Sequence, residues 1–469
     1  MSVLVRPPLK SSAVTALANW KAIGLRALAV FLLLWTPFFV FVAHRDHPVP
    51  PGGLLASAGW CLLAALILSA LCGRAGSKRQ AILFAGLFAL VLDTQFDWYQ
   101  DAMAYVAFVV LLALAWLLRR HSSVILSAMF GAVLLSTAVA GSLEPYTEVR
   151  EIDNTAAGGA AGTAAHGILL HLMLDEHAGI MGIPKDVPGG EALRRDLRDF
   201  FAANGFRLFG NAISEYAATR NSMAGILNFT AGPTPYDFYE GRKPFVLQQS
   251  RYFQALAEAG YDIHVYQTLY MDYCKEFPAL VDHCYIYRHD GTDWLKTSDF
   301  GDLDKLNVLF SLYLQRSDEM VETVLKLYVR LAEHRRDAVF HLPELPKWDD
   351  GPSSANAMIA FDRIIADVAT GADGTAYFAH LLIPHGPYIH RSDCSLRSDV
   401  NGWLSNRPPF RREMSESGRR RSHAAHFEQM QCVQQKLGRL FQQMKAAGQF
   451  DDATIIIHGD HGSRIYRVA

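Results

Sequence analysis

Residues Thr454 to Gly462 read T-I-I-I-H-G-D-H-G, a β-branched run that stops abruptly in a carboxylate and imidazoles. An apolar run of this length bounded by glycine fits a buried strand. The carboxyl end of such a strand opens into the ligand crevice of an α/β sheet, which puts Asp460 and His461 there and not in the core. Oxygen and imidazole ligands together suit a divalent cation, with zinc and manganese ahead of calcium. A lone D-H pair is also what a polar turn at a strand end looks like, so the reading depends on other segments.

Three segments supply them. Ile168 to Gly179 reads I-L-L-H-L-M-L-D-E-H-A-G, another apolar strand ending in acids, so Asp175 or Glu176 can add the missing carboxylate, although acids there also serve as helix caps. Phe209 to Leu227 contains Thr219 at the start of a helical pattern. That position suits an N-cap, and it equally suits a nucleophile, because the field and free amides of a helix N-terminus favour an anion. A cation beside the hydroxyl would lower its pKa, and Arg220 could then grip a tetrahedral oxyanion with two hydrogen bonds. Tyr377 to His390 places His385 between Pro384 and Gly386 after an apolar run, a rigid and exposed placement that aims the imidazole at a ligand or leaving group.

The elements that must position these residues alternate. Ile168–Leu174, Asp262–Tyr266, Ala376–Ile383 and the last run read as strands, whereas Glu191–Asn204, a helix containing Met223–Leu227, Val246–Ala259, Lys305–His334 and His423–Ala447 read as helices. Interleaving over about 300 residues predicts one large α/β domain from 168 to 469, a sheet flanked by helices. Residues 143–167 include A-A-G-G-A-A-G-T-A-A-H-G and read as a flexible linker.

The first 142 residues differ. Apolar stretches near 27–43, 54–72, 81–92 toward Phe96, 104–118 and 123–141 predict an all-α anchor of about five transmembrane helices, the third short for a span of roughly 20 residues. Lys10, Lys21 and Arg26, then Arg74, Lys78 and Arg79, then Arg119 and Arg120 fall in alternate connections, so the positive-inside rule puts the amino terminus in the cytoplasm and everything after Ser142 outside. Successive apolar segments are not explained by a cleaved signal peptide. A net charge of −2 with no basic block gives no footprint for nucleic acid. Cys61 and Cys72 fall in the second span as packing residues, while Cys274, Cys284, Cys394 and Cys432 lie where disulfides are permitted. Of the three pairings, the short loop favours Cys274 with Cys284, leaving Cys394 with Cys432. The lack of any C-x-x-C element argues against a thiolate metal site.

The ordered set L-D-E at Leu174–Glu176, N-A-x-S-x-x-x-x-T-R-x-S at Asn211–Ser222, P-H-G-P-Y at Pro384–Tyr388 and H-G-D-H-G at His458–Gly462 resembles the alkaline phosphatase superfamily over about residues 165 to 469. The sulfatase-like branch is the nearest, and the five-span anchor with an external domain is similar to the membrane-anchored phosphoethanolamine and phosphoglycerol transferases. The resemblance implies metal ligands at Asp175 or Glu176, Asp460 and His461, with Thr219 as ligand and nucleophile and His385 in contact with substrate or leaving group. It also implies a bacterial inner-membrane protein with a periplasmic catalytic domain, moving a phospholipid-derived head group from a phosphodiester donor to a glycan or to water.

Sulfatases carry Cys or Ser in a C/S-x-P-S-R pattern whose first residue becomes an aldehyde, whereas this chain reads Thr219-Arg220-Asn221-Ser222-Met223. That favours a phosphothreonine intermediate over sulfate-ester hydrolysis, which is the alternative. A non-catalytic membrane binding or assembly module on the same fold is the reading from a different class. The chain ends at Ala469, seven residues after Gly462, where domains of this family continue, so truncation is expected.

Overall fold

The structure is a computed structural model that describes residues 12–44, 47, 49–72, 76–96, 101–140, 149–154, 166–231, 245–289, 291–315, 352–399, 403 and 415–465. In chain order the helices are α1 (Ser12–His44), α2 (Pro51–Cys72), α3 (Gly76–Phe96), α4 (Asp101–Leu117), α5 (Ser122–Ala140) and α6 (Gly190–Ala203). They continue as α7 (Thr219–Asn228), α8 (Arg251–Glu258), α9 (Trp294–Thr297), α10 (Asp302–Gln315), α11 (Ser353–Thr370) and α12 (Glu416–Ala446). The strands are β1 (Val149–Asp153), β2 (Leu169–Leu174), β3 (Phe245–Val246), β4 (Asp262–Thr268), β5 (Met271–Asp272), β6 (His283–Tyr287), β7 (Thr375–Leu381) and β8 (Thr454–His458).

The chain divides into two compact units, Met1–Tyr146 with Phe300–Leu345, and Thr147–Asp299 with Pro346–Ala469. The first contains α1 to α5 and α10. Among its described residues, three stretches are long and apolar enough to cross a membrane: Lys21–Ala43, Pro51–Cys72 and Ser122–Val139. The other two expected spans form helices but fall short, because α3 opens on Lys78, Arg79 and Gln80 and carries Asp93, and α4 has only 17 residues. A buried polar network ties the bundle. Arg26 donates to Gln80 Oε1 at 3.2 Å and to the Ser69 carbonyl at 3.2 Å, and the Gln80 amide reaches Ser122 Oγ at 2.8 Å and Ser123 Oγ at 3.0 Å. Such groups tie helices together where no water can satisfy them. Leu306 and Tyr313 of α10 pack on Phe38, Phe41 and Val42, so the start of the helical pattern read from Lys305 lies with the apolar helices. Its continuation from 316 to 334 lies outside the described residues.

The second unit is a six-stranded sheet in the order β1-β6-β4-β7-β2-β8, every pairing parallel except β1 with β6. Side chains alternate between two cores. Leu170, Leu172 and Leu174 of β2 face one core with α6, α11 and α12, whereas Met173 faces the other with α7 and α8. Tyr377, Ala379 and Leu381 of β7 divide from Ala376 and Phe378 in the same way. Burial on both faces explains the near-continuous apolar runs of the inner strands β2 and β7, whereas the edge strand β8, expected to be buried, is half exposed, with Ile456 at 39%.

The structure corrects several boundaries. Part of the stretch read as linker, Val149–Asp153, is the antiparallel edge strand β1, while residues 155–165 lie outside the described residues. The helix expected over Val246–Ala259 begins at Arg251, because Ser250 caps it by accepting from the Phe253 amide at 3.1 Å, and Phe245–Val246 pair with β5. The disulfides form as the short-loop argument favoured, Cys274 with Cys284 and Cys394 with Cys432, at Cα separations of 6.5 and 4.8 Å.

Candidate metal centre

Parallel pairing decides which side chains meet. Met173 of β2 is in register with His458 of β8, so two residues further along both strands Asp175 and Asp460 emerge side by side at the carboxyl edge. The two exits approach closely at Gly459, where a Cβ would stand 2.5 Å from the His177 carbonyl oxygen, so that position of the motif must be glycine. On the other flank β7 pairs with β2 through Met173 and His380, which brings His380 Nε2 to 3.8 Å from Asp175 Oδ2.

Asp175, Asp460 and His461 form a buried group whose ligand atoms all lie within 4.8 Å of one another. His461 Nδ1 donates to the Gly462 carbonyl at 2.8 Å, which fixes the tautomer and leaves Nε2 as the lone-pair nitrogen. That nitrogen faces Asp460 Oδ2 at 3.4 Å and Asp175 Oδ1 at 3.6 Å. Neither of these buried oxygens has a hydrogen-bond partner, while the other oxygen of Asp460 accepts from the backbone amides of His461 at 2.8 Å and Glu176 at 3.2 Å. Three acceptors aimed at one point form a donor set suited to a divalent cation. Burial first, then the neighbouring Asp460 carboxylate, push the Asp175 carboxyl well above its ordinary range. A cation there would reverse that cost.

Thr219 completes the group. It is the first residue of α7, and Ala218, not Thr219, occupies the N-cap, so the hydroxyl is not consumed in capping. Its Oγ1 lies 3.3 Å from His461 Nε2 and 3.5 Å from Asp175 Oδ2. Met223 and Leu227 anchor the same helix in the core beneath.

Glu176 turns away from this point. Its backbone is left-handed at φ 60°, a conformation disfavoured for a residue with a Cβ, and its wholly buried carboxylate takes partners outside that group. It accepts from Arg464 Nε at 2.7 Å and from the Tyr388 hydroxyl at 3.4 Å. His385 joins this second group. It is buried, not exposed as its loop position suggested, because α12 covers the loop and Gln429 donates to the carbonyls of Pro384 at 3.1 Å and His385 at 2.9 Å. The Arg220 guanidinium lies 5.2 Å from the centre of the Phe245 ring, with Nε 3.4 Å from Asn221 Oδ1.

The expected residues thus divide into Asp175, Asp460, His461 and Thr219 in one cluster and Glu176 and His385 in an adjacent one. Sequence reasoning passed over Arg464, His380 and Tyr388. His380 and Arg464 were detectable, the first as a polar residue inside an apolar strand and the second three residues after His461. Buried His380 is held near pKa 4 chiefly by desolvation, so it is neutral beside Asp175.

Compared with models of known protein families and with curated proteins, the chain matches no family model and no curated sequence.

Proposed function

We propose that this chain is a membrane-anchored, metal-dependent phosphotransferase or phosphodiesterase of the alkaline phosphatase superfamily, with Thr219 as nucleophile. The observation that carries the reading is the uncapped Thr219 hydroxyl at a helix N-terminus, within 3.5 Å of both Asp175 and His461. Asp175, Asp460 and His461 would hold the cation, with zinc or manganese preferred for this mix of oxygen and nitrogen and calcium the next candidate. When bound, it supplies positive charge that stabilises the transferring phosphoryl oxygens and favours ionisation of the threonine hydroxyl.

The remaining steps belong to the protein. Thr219 Oγ gives up its proton to solvent and forms a bond to phosphorus while the bond to the leaving oxygen breaks, and that oxygen takes a proton from solvent. The amide dipoles at the start of α7 face the charge that develops. An acceptor hydroxyl, from a glycan or from water, then bonds to the same phosphorus as the bond to Thr219 Oγ breaks, and its proton restores the threonine hydroxyl. Three helices long and apolar enough to cross a membrane support a lipid-derived donor. We take all five apolar segments as membrane helices, with the amino terminus cytoplasmic and the α/β unit in the periplasm.

The test is mass spectrometry of the full-length protein after incubation with metal and candidate phospholipids. An adduct of a phosphoryl head group on Thr219 is expected. Turnover of phosphate diesters without any Thr219 adduct, or turnover of sulfate esters in preference to phosphate esters with the same leaving group, would replace the proposal by direct hydrolysis or by the sulfatase reading.

A further inference from the structure

We propose that Arg464 is the anion receptor of this site, binding non-bridging oxygens of a tetrahedral phosphoryl group, and that Glu176 and His385 are positioning residues that hold its guanidinium. The inference rests on the phosphoryl-transfer reading above and assigns Glu176 away from the cation.

The argument begins with the two acids at the end of β2. Asp175 and Glu176 are adjacent, and the left-handed backbone at Glu176 sends their carboxylates to different groups. A carboxylate with no solvent exposure must be compensated, and the Arg464 Nε at 2.7 Å does so. The pair is unequal in access. The Arg464 side chain is 19% exposed while that of Glu176 is at 0%, so the anion lies beneath and the cation lies on the solvent side. That order suits a receptor for a second anion arriving from outside.

His385 fixes the other arm. Its Nδ1 lies 2.6 Å from the Gly386 carbonyl, which only accepts, so Nδ1 carries the proton and Nε2 has a lone pair. That nitrogen accepts from Arg464 Nη2 at 2.5 Å. The guanidinium therefore sits between two acceptors on fixed elements, the end of β2 and a loop clamped to α12 by Gln429. Arg464 follows His461 by three residues, so the strand exit that delivers an imidazole to the cation cluster also delivers this guanidinium. If Asp175, Asp460 and His461 hold a cation that supplies positive charge to a phosphoryl group, Arg464 beside them would supply a planar hydrogen-bonding face suited to the same tetrahedral anion.

Full-length protein loaded with Mn²⁺ is titrated calorimetrically with inorganic phosphate, and Mn²⁺ affinity is measured separately for each variant. Arg464→Gln is expected to weaken phosphate binding by about 10-fold or more, the worth of one charge-assisted contact. Arg464→Lys should recover part of that loss. Glu176→Gln should weaken phosphate similarly while leaving Mn²⁺ affinity within about 2-fold, which a metal ligand could not do. If Arg464→Gln does not fold because buried Glu176 is left without its counter-charge, Arg464→Lys and the double variant Arg464→Gln with Glu176→Gln still decide. Phosphate affinity unchanged in Arg464→Gln, no phosphate binding by the wild type, or loss of Mn²⁺ in Glu176→Gln would overturn the assignment. Phosphate binding needs no turnover, so an Arg464-dependent phosphate site in a protein that forms no Thr219 adduct would sink the transfer reaction and leave the receptor standing.

Discussion

Replacing Thr219 by alanine should separate chemistry from folding, and the structure gives both magnitudes. The hydroxyl contacts His461 Nε2 at 3.3 Å and Asp175 Oδ2 at 3.5 Å, both long for an O–H donor, so their loss costs under about 1 kcal/mol. The helix start does not depend on it, since the N-cap is Ala218 and Thr219 caps nothing. Alanine is a strong helix former, which offsets part of the cost. Loss of a nucleophile, by contrast, costs at least about a thousand-fold in turnover. That corresponds to about 4 kcal/mol on the barrier. The assay pairs turnover of a phosphodiester with urea unfolding of the same preparations. Thr219→Ser keeps a hydroxyl and should retain activity within about 10-fold of wild type. Wild-type turnover by Thr219→Ala would refute the nucleophile, and a destabilisation of several kcal/mol would refute the claim that this hydroxyl is structurally idle.

Three further outcomes are expected. Asp460→Asn should lower divalent-cation affinity by about 100-fold, as loss of an anionic ligand does, while Thr219→Ala lowers it less; equal affinity of Asp460→Asn and wild type in calorimetry would remove Asp460 from the site. Removing the disulfides by paired Cys→Ala substitution should cost roughly 3 kcal/mol for Cys274–Cys284, which closes a separation of 10, and roughly 4 kcal/mol for Cys394–Cys432, with a separation of 38, so the reverse order in denaturant melts would count against a loop-entropy origin. Burial holds His390 near pKa 4 and His426 near pKa 3, below the ordinary value. The unfolded chain therefore takes up protons first, so the stability they confer is full above about pH 6.5 and is lost as pH falls toward 4, at about 1.4 kcal/mol per pH unit for each. His390→Asn should flatten that slope in denaturation at pH 7 and pH 5, and an unchanged slope would show that His390 is not among the groups responsible.

The central parallel strands were legible because strands covered on both faces read as uninterrupted apolar runs, and β2 falls within a residue of the boundaries expected for it. β8 begins at Thr454, where its β-branched run begins, but it is an edge strand and half exposed, so its apolar run does not report burial. The edge strand β1, V-R-E-I-D, was not, since one half-exposed strand of mixed polarity beside a small-residue stretch carries no periodic signal. β6 was hidden for a related reason. Its histidine and tyrosines resemble loop composition until β4 and β1 flank them.

The site shows where such reading stops and why. Residue types told which acids and imidazoles end strands, and strand ends converge whatever the loops do, so Asp175, Asp460, His461 and Thr219 were reachable from sequence. The choice between Asp175 and Glu176 was not, because it turns on a single backbone angle. In an extended continuation of β2 the two side chains would point to opposite faces, and the left-handed turn at φ 60° fixes where the second one goes. Once Glu176 is buried away from the cation cluster it needs a counter-charge, and Arg464, unremarkable in sequence, supplies it. The consequence is testable through charge alone: replacing the pair as Glu176→Gln with Arg464→Gln should fold better than Arg464→Gln by itself, because no buried carboxylate is then left without its counter-charge. Denaturant midpoints that fall additively in the double variant would mean that Arg464 and Glu176 are neighbours without being partners.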